Sequence, residues 1–564
     1  MLRPALLLSA CVACAAILTG CAAPNGEEST DVPIAPATVA NALEAVRAED
    51  IRAGVAHLAS DELRGRGTGT PDKKKAAEWI ADELRAAGAV PLTGDSFFQE
   101  IALVGAKKTD GTSEVTLTGP DGEIPVTQEV DFTWWATDNT ERVQLDDVPL
   151  VFVGHGITAP EVGWDDFEDV DVSGKVLLFL NDDPLVEEEG EVLFGGPTRT
   201  YYGRWTYKFE QARDRGALGA IVIHTTPSAG YGWQVIGTKG ATEQFGLDAE
   251  GAGYDLPLLA WMAEDVAQQV AATVDATLEE WFERGKRRDF RPFDLPVRIS
   301  ARADVELNRT TSQNVLGLIE GSDPELRDEI VVVTAHYDHL GTIEVDDPSE
   351  DAIYNGAWDN AAGTSAMLAI ARGVAASEVA PRRSVLFFAV GAHEKGLLGS
   401  RWFVENPPID LGRIVADVNF DMPQIFGLTR DMVGIGKEKS ELGALLEDVA
   451  SRFDVPGGGN VVVAPDPTPG AGRFYRSDQL HFARKGIPGI YVAPGTDYVE
   501  GPKTDPVEYR AAHYHQLSDE LNDQWDFTGL ERDARVLTLL VLELANRAER
   551  PAWSPGSEFG QPAS

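Results

Sequence analysis

The chain has 564 residues, 43% hydrophobic and 25% charged, an ordinary globular composition with room for two or three domains and a large core. Its 91 acidic residues against 48 basic ones give a formal net charge of -43, which speaks against sequence-independent binding to nucleic acid or anionic lipid, because phosphates would be repelled. All three cysteines, Cys11, Cys14 and Cys21, lie near the amino terminus, so the rest of the chain has no disulfide, thiolate ligand or cysteine nucleophile.

Residues 1–21 have the form of a signal sequence. Arg3 supplies the positive start, Ala5 to Leu18 an apolar run too short to span a bilayer, and Leu18-Thr19-Gly20-Cys21 a small-residue cleavage site. That tetrapeptide resembles a bacterial lipoprotein box. The resemblance implies cleavage before Cys21, lipidation of that cysteine and an extracytoplasmic protein anchored to a bacterial membrane, on the periplasmic side or the cell surface. Residues 22–40, polar with Pro and Gly, are expected to be a tether.

From Ala45 to Gly88 the pattern is largely helical, with Ala76, Ala77, Ile80, Leu84 and Ala87 at three- and four-residue steps and Gly88 as a stop. The polar, glycine-rich stretch Asp61 to Asp72 precedes the second helix. It follows no strand and lacks a Gly-Lys-Ser/Thr ending, so it does not read as a phosphate loop. Between about residues 100 and 300, short alternating or apolar runs such as Glu114 to Leu117 and Leu150 to Val153, broken by Gly, Pro and Asp, predict a mainly β segment. From Asp146 to Phe290 the order strand, Asp-rich loop, Gly-Lys, strand, helix, Gly-Ala, strand resembles a protease-associated domain. It implies an insertion over 140–292, without catalytic residues of its own, that roofs an active site or restricts access to it.

The stretch Val331 to Met422 carries the chemistry. The apolar runs Ile330 to Ala335, Val385 to Val390 and Ile414 to Phe420 read as buried strands of an α/β sheet. His336 follows the first, Glu394 the second and Asp421 the third, so all three can meet in the crevice at the carboxyl ends of parallel strands. Asp359 precedes a helix expected over Ala361 to Ala376, and the segment AAHYHQLSDE offers His515. Two imidazole nitrogens and three carboxylates suit a borderline-soft divalent metal, zinc foremost. An isolated acid or histidine is commonly a surface charge or a structural side chain, but carboxylates set directly after buried strands are costly without cations. No Gly-x-Ser-x-Gly elbow stands in the chain, and Leu397 occupies the position a second zincin histidine would need after His393-Glu394.

The motifs AHYDHLG, GAWDNAAGT, EKGLLGS, NFDM and YHQLSDE, in this order, look like the co-catalytic di-zinc aminopeptidases of the bacterial leucyl aminopeptidase type, members of clan MH. The likeness covers about Ala45 to Gly88 and Thr311 to Ala548. It implies an α/β fold, a mixed and mostly parallel sheet flanked by helices, over 41–110 and 300–550. It also implies two Zn2+ ions, with Asp359 bridging them, His336 and Asp421 on one side and Glu394 and His515 on the other. The implied reaction is release of amino-terminal residues from peptides through a metal-bridged water. Asp338, two residues past His336, is placed to accept that histidine's other ring N–H.

One position departs from the pattern: where the family has two adjacent glutamates, the first a general base, this chain has His393-Glu394. Imidazole can accept a proton from an activated water, and it can also bind metal itself. Loss of a base costs about 10²- to 10⁴-fold, so the alternatives are an impaired relative acting as a binding or scaffold protein, or a carboxypeptidase or glutaminyl cyclase on the same frame. His339, His481 and His513 fit no ligand role and read as pocket-lining or structural. Arg532 to Arg550 has the spacing of a closing amphipathic helix, and 551–564 is expected to be a disordered tail. Nothing in the sequence reveals the oligomeric state.

Overall fold

The computed structural model describes residues 33–136, 140–188, 190–249, 253, 254 and 256–560. The expected signal sequence, Cys21 and most of the expected tether lie outside the described residues. Six strands and four helices position the site: β1 (Phe98–Lys108), β2 (Phe293–Ile319), β3 (Ile330–His336), β4 (Ser384–Val390), β5 (Ile414–Phe420) and β6 (Gly489–Ala493), with α1 (Ala48–Leu58), α2 (Pro71–Ala86), α3 (Gly363–Ala375) and α4 (Thr528–Asn546).

Strand β3 lies between β4 and β5, parallel to both, and β6 extends the parallel set beyond β5. Antiparallel strands close the two flanks: β2 beside β4, and Asp431–Ile435 beside β6. The result is the mixed, mostly parallel sheet expected. Strands β3, β4 and β5 are buried at every position, which is why each reads as a continuous apolar run and not as an alternation. Their side chains still divide by face. Val331, Val333 and Ala335 pack with the helix layer of α1, α2, α3 and α4, whereas Ile330 and Val332 pack with Phe388, Phe403 and Phe482 on the other side. Leu537, Leu539, Leu540 and Leu542 of α4 are fully buried, each contributing about 1.5–3 kcal/mol by removal from water.

The 27-residue β2 belongs to both halves of the chain. Its first part pairs with Arg142–Phe152 and Glu114–Gly119, and its second with β1 and β4, so one unbroken strand joins those two strands to the site-bearing sheet. Between residues 140 and 292, Val176–Leu180, Gly219–His224 and Leu258–Ala263 form a parallel trio. Three helices, Trp205–Asp214, Glu264–Ala272 and Leu278–Gly285, accompany them, so this region is less purely β than expected.

Both expected ends of the folded region shift. The Ile34 amide donates to Glu543 Oε1 at 2.6 Å and Val39 is fully buried, so the fold takes up the last residues assigned to the tether. The tail is ordered as far as Gly560, against expectation. Trp553 Nε1 donates to the Gly486 carbonyl at 2.9 Å, and Phe559 packs on Phe474 and Tyr475. Its Pro, Gly and Ser content suggested disorder, but the aromatic anchors outweigh that composition.

The glycine-rich stretch before α2 has a structural task. Arg66 is wholly buried, with Nε donating to the Tyr337 carbonyl at 2.7 Å, Nη1 to Asn355 at 2.7 Å and to Leu58, and Nη2 to Gly356 at 2.9 Å. It joins the chain after β3 to the turn before α3. Without it those buried carbonyls would lose their partners, at about 1–3 kcal/mol each.

Candidate metal centre

The ends of β3, β4 and β5 open onto one crevice, as the strand order requires. His336 is the last residue of β3, and its carbonyl accepts from Thr364 Oγ1 at the start of α3 (2.7 Å). Asp359 sits in the irregular turn before α3. Asp519 holds that turn, its carboxylate accepting from the Trp358 and Asp359 amides at 3.0 and 3.1 Å. Asn360, joined to Asp359 by a cis peptide, donates to the Phe420 carbonyl and accepts from the Met422 amide, tying the turn to the end of β5 where Asp421 emerges. Asp421 Oδ2 accepts from Ser477 Oγ at 2.8 Å, and its carbonyl accepts from Tyr491 Oη at 2.9 Å.

The five side chains resolve into two sets that share Asp359. His336 Nε2 is 3.1 Å from Asp359 Oδ1 and 3.4 Å from Asp421 Oδ1, whereas His515 Nε2 is 3.1 Å from Asp359 Oδ2 and 3.3 Å from Glu394 Oε2. His336 Nε2, His515 Nε2 and Asp421 Oδ1 are buried yet make no hydrogen bond. Orphaned donor and acceptor atoms converging from three separate elements are what an ion between them would satisfy. Burial alone would lower the pKa of His336 and raise that of Glu394. The carboxylates Asp421 and Asp359 instead hold His336 well above its usual range, and His515 and His339 hold Glu394 well below the carboxylate range. Three carboxylates against two imidazoles leave the pocket in need of positive charge, and nitrogen and oxygen donors in this ratio fit zinc or a similar divalent ion.

Asp338 does not do what its spacing suggested. The Nδ1 of His336 faces the carbonyl of Asp338 at 3.2 Å, and the Asp338 carboxylate instead accepts from the His393 and Glu394 amides (3.0 and 3.3 Å) and from Thr68 Oγ1 (3.0 Å). It therefore fixes the loop that presents His393 and Glu394. Two amides that would otherwise be unpaired in a buried loop compete successfully for the carboxylate against a ring nitrogen already served by a carbonyl.

His393 stacks on His336, with ring centroids 3.7 Å apart and planes 6° apart, and its Nδ1 lies 2.8 Å from Asp478 Oδ2. Asp478, fully buried, also accepts from Ser400 Oγ at 2.6 Å. Burial and His336 would lower the His393 pKa, yet the Asp478 carboxylate beside Nδ1 holds it above the usual range; in the neutral ring with Nδ1–H on that carboxylate, the lone pair lies on Nε2. His393, His336 and Asp421 also stand close enough to share an ion. His339, expected to be pocket-lining or structural, sets its Nδ1 2.8 Å from Glu394 Oε1. Asp478, Ser477 and Asp519 had no role in the reading of the sequence. Their signal was faint: Asp519 stands within YHQLSDE, whereas Ser477 and Asp478 follow no strand and stand in none of the five motifs.

Residues 314–541 match peptidase family M28. The chain carries a peptidase family M28 domain. The chain is 37% identical over 131 residues to aminopeptidase YwaD of Bacillus subtilis, 23% of this chain and 24% of that protein. It is 28% identical over 218 residues to leupeptin-inactivating enzyme 1 of Streptomyces exfoliatus, 37% of this chain and 46% of the relative. The chain thus spans less than half the length of the curated relatives it matches. A solved aminopeptidase from Aneurinibacillus sp. strain AM-1 shares the fold at a TM-score of 0.50 and 18% identity, covering 93% of this chain and 98% of the other. All five candidate ligands and His393 fall inside the M28 domain, as do Asp338, Asp478 and Asp519.

Proposed function

We propose that this chain is a zinc-dependent aminopeptidase that hydrolyses amino-terminal residues from peptides. The observation that carries the reading is the pair of donor sets sharing Asp359, each with a histidine Nε2 left without a hydrogen bond. His336 with Asp421, and Glu394 with His515, would each hold one of two zinc ions, and bound there the ions supply Lewis-acid polarisation of the scissile carbonyl and of the attacking water.

His393 takes the proton in this reading. Asp478 accepts from Nδ1–H, which fixes the tautomer and leaves Nε2 to receive the proton from water and return it to the departing amine. Asp338 sets the backbone of His393 and Glu394, and His339 steadies the Glu394 carboxylate. A second reading, a binding protein without turnover, rests on the imidazole at position 393.

The test is release of amino acids from a panel of aminoacyl amides by the zinc-loaded chain. Turnover should disappear with a chelator and return with zinc. A chain that holds two zinc ions and leaves every amide intact would give the second reading its support. Amine release from amino-terminal glutamine, or cleavage at a free carboxyl end, would move the assignment to a cyclase or a carboxypeptidase.

The Leu-Thr-Gly-Cys motif supports a lipid anchor on Cys21 and an extracytoplasmic location, and the element order after Asp146 supports a protease-associated insert that limits access to the site. Mass spectrometry of the mature amino terminus should find acylated Cys21, and Cys21→Ser should release the protein from membranes. An unmodified mature terminus would remove the anchor from this proposal.

A further inference from the structure

The chain beyond α4 reaches back to a loop that supports the metal centre. Residues 552–554 run along 439–441: the Glu441 amide donates to the Ala552 carbonyl at 2.9 Å, the Ser554 amide to the Lys439 carbonyl at 2.8 Å, and the Ala552 amide to Glu441 Oε2 at 3.0 Å. That pairing brings Glu558 and Phe559 against the loop at 473–478. Glu558 accepts from Lys439 Nζ at 3.0 Å and from Tyr475 Oη, and Lys439 Nζ also donates to Tyr475 Oη at 2.8 Å. The three polar groups thus close on one another, largely shielded from water. Phe559 is buried, its ring centroid 5.9 Å from that of Phe474, 6.2 Å from Tyr475 and 5.3 Å from Trp553. Phe474 in turn packs on Gly436, where φ is +81° and a Cβ would stand 2.3 Å from the ring, so only glycine admits the contact.

Two and three residues after Tyr475 come Ser477 and Asp478. They stand in the bend between the short turn Arg473–Arg476 and the five-residue helix Gln479–Ala483, so their places depend on how that bend is seated. Ser477 Oγ donates to Asp421 Oδ2 at 2.8 Å, and Asp478 Oδ2 lies 2.8 Å from His393 Nδ1. One loop therefore serves both Asp421 and His393. The contacts of Glu394, in the other donor set, run instead to His339 and to Asp338.

We infer that the carboxyl-terminal segment 552–559 is a positioning element of the centre: by seating Phe474 and Tyr475 it holds Ser477 on Asp421 and Asp478 on His393. It acts on one of the two metal positions and leaves the one at Glu394 and His515 alone. Two packed rings and a closed ion pair restrict the turn ahead of Ser477, and the partners of a metal ligand act on affinity through that kind of orientation. The effect on His393 rests on the aminopeptidase reading, whereas the effect on the ion beside Asp421 does not.

The experiment uses the zinc-loaded full chain, with Phe559→Ala and, separately, Glu558→Gln, which keeps the shape of the side chain and serves if removal of the ring loosens the fold. Hydrogen exchange read by mass spectrometry should quicken at 473–478 by about tenfold or more in each variant, the effect of losing roughly one buried hydrogen bond or ring contact. Zinc titration against a competing chelator should show one ion weakened by about 10- to 100-fold and the other unchanged. Phe559→Leu, which keeps apolar volume, should retain both ions and the native exchange rate. A segment that only stabilised the fold would lower the melting temperature of both variants while, below it, two ions stayed bound with native affinity. That result would overturn the inference, and so would native exchange at 473–478 in both variants. Where the native chain turns over aminoacyl amides, kcat of Phe559→Ala should fall about tenfold or more. A native chain without turnover would count against the aminopeptidase reading alone, because the exchange and zinc measurements test the segment without it.

Discussion

Asp359→Asn should leave a folded protein that no longer holds two zinc ions and has lost more than the roughly 100-fold that removal of a supporting partner costs. Asp359 presents one oxygen to each histidine, at 3.1 Å in both cases, so it is the one side chain common to both donor sets. An asparagine keeps one oxygen and turns an N–H2 toward the other ion, which repels it. The backbone of the turn does not depend on the carboxylate, because Asp519 and Asn360 hold it through main-chain contacts. Metal analysis after dialysis, with circular dichroism as the folding check, reads the effect. Two retained ions with unchanged turnover would remove Asp359 from the bridging position.

The second large effect is expected at His393. His393→Gln should lower kcat by about 10²- to 10⁴-fold while both ions remain bound, as loss of a general base does. Loss of an ion from the variant would instead make His393 a ligand, which its place beside His336 and Asp421 also permits. Restoring the family's glutamate by His393→Glu alone should not restore a better enzyme. Asp478 Oδ2 lies 2.8 Å from the imidazole and is wholly buried, so a glutamate there meets a second carboxylate, and one of the two must take up a proton. The double variant His393→Glu with Asp478→Asn removes that repulsion and should recover activity relative to His393→Glu. If the single and double variants are equally active, Asp478 and residue 393 are not coupled and the proton-carrier role for the His393–Asp478 pair fails.

Much of this site could be read before any fold was known. His336 ends, and Glu394 and Asp421 follow, strands buried on both faces, and such strands announce themselves as unbroken Val, Ile and Phe runs. Asp359 and His515 were reached through motif order, since neither stands at a strand end. Asp338 shows where spacing misleads. A carboxylate two residues from a histidine has the reach to support it, but the loop at 393 and 394 brought two amides to the same carboxylate, and nothing local to Asp338 records that competition. The tail misled for a related reason: Trp553 and Phe559 find their pockets on segments some 70 to 85 residues earlier in the chain.

By itself the sequence determined the mixed α/β core, the M28 motifs and the chemical kind of the centre, because buried strands and metal-ligating side chains leave local signatures of hydrophobicity and residue type. The tertiary structure alone decided which partner each group has. It paired His393 with Asp478, turned Asp338 from a histidine support into a loop anchor, and buried Arg66 among carbonyls. These are contacts between residues far apart in the chain, each settled by which neighbour best satisfies a buried charge or polar atom, and that competition exists only once the chain has folded.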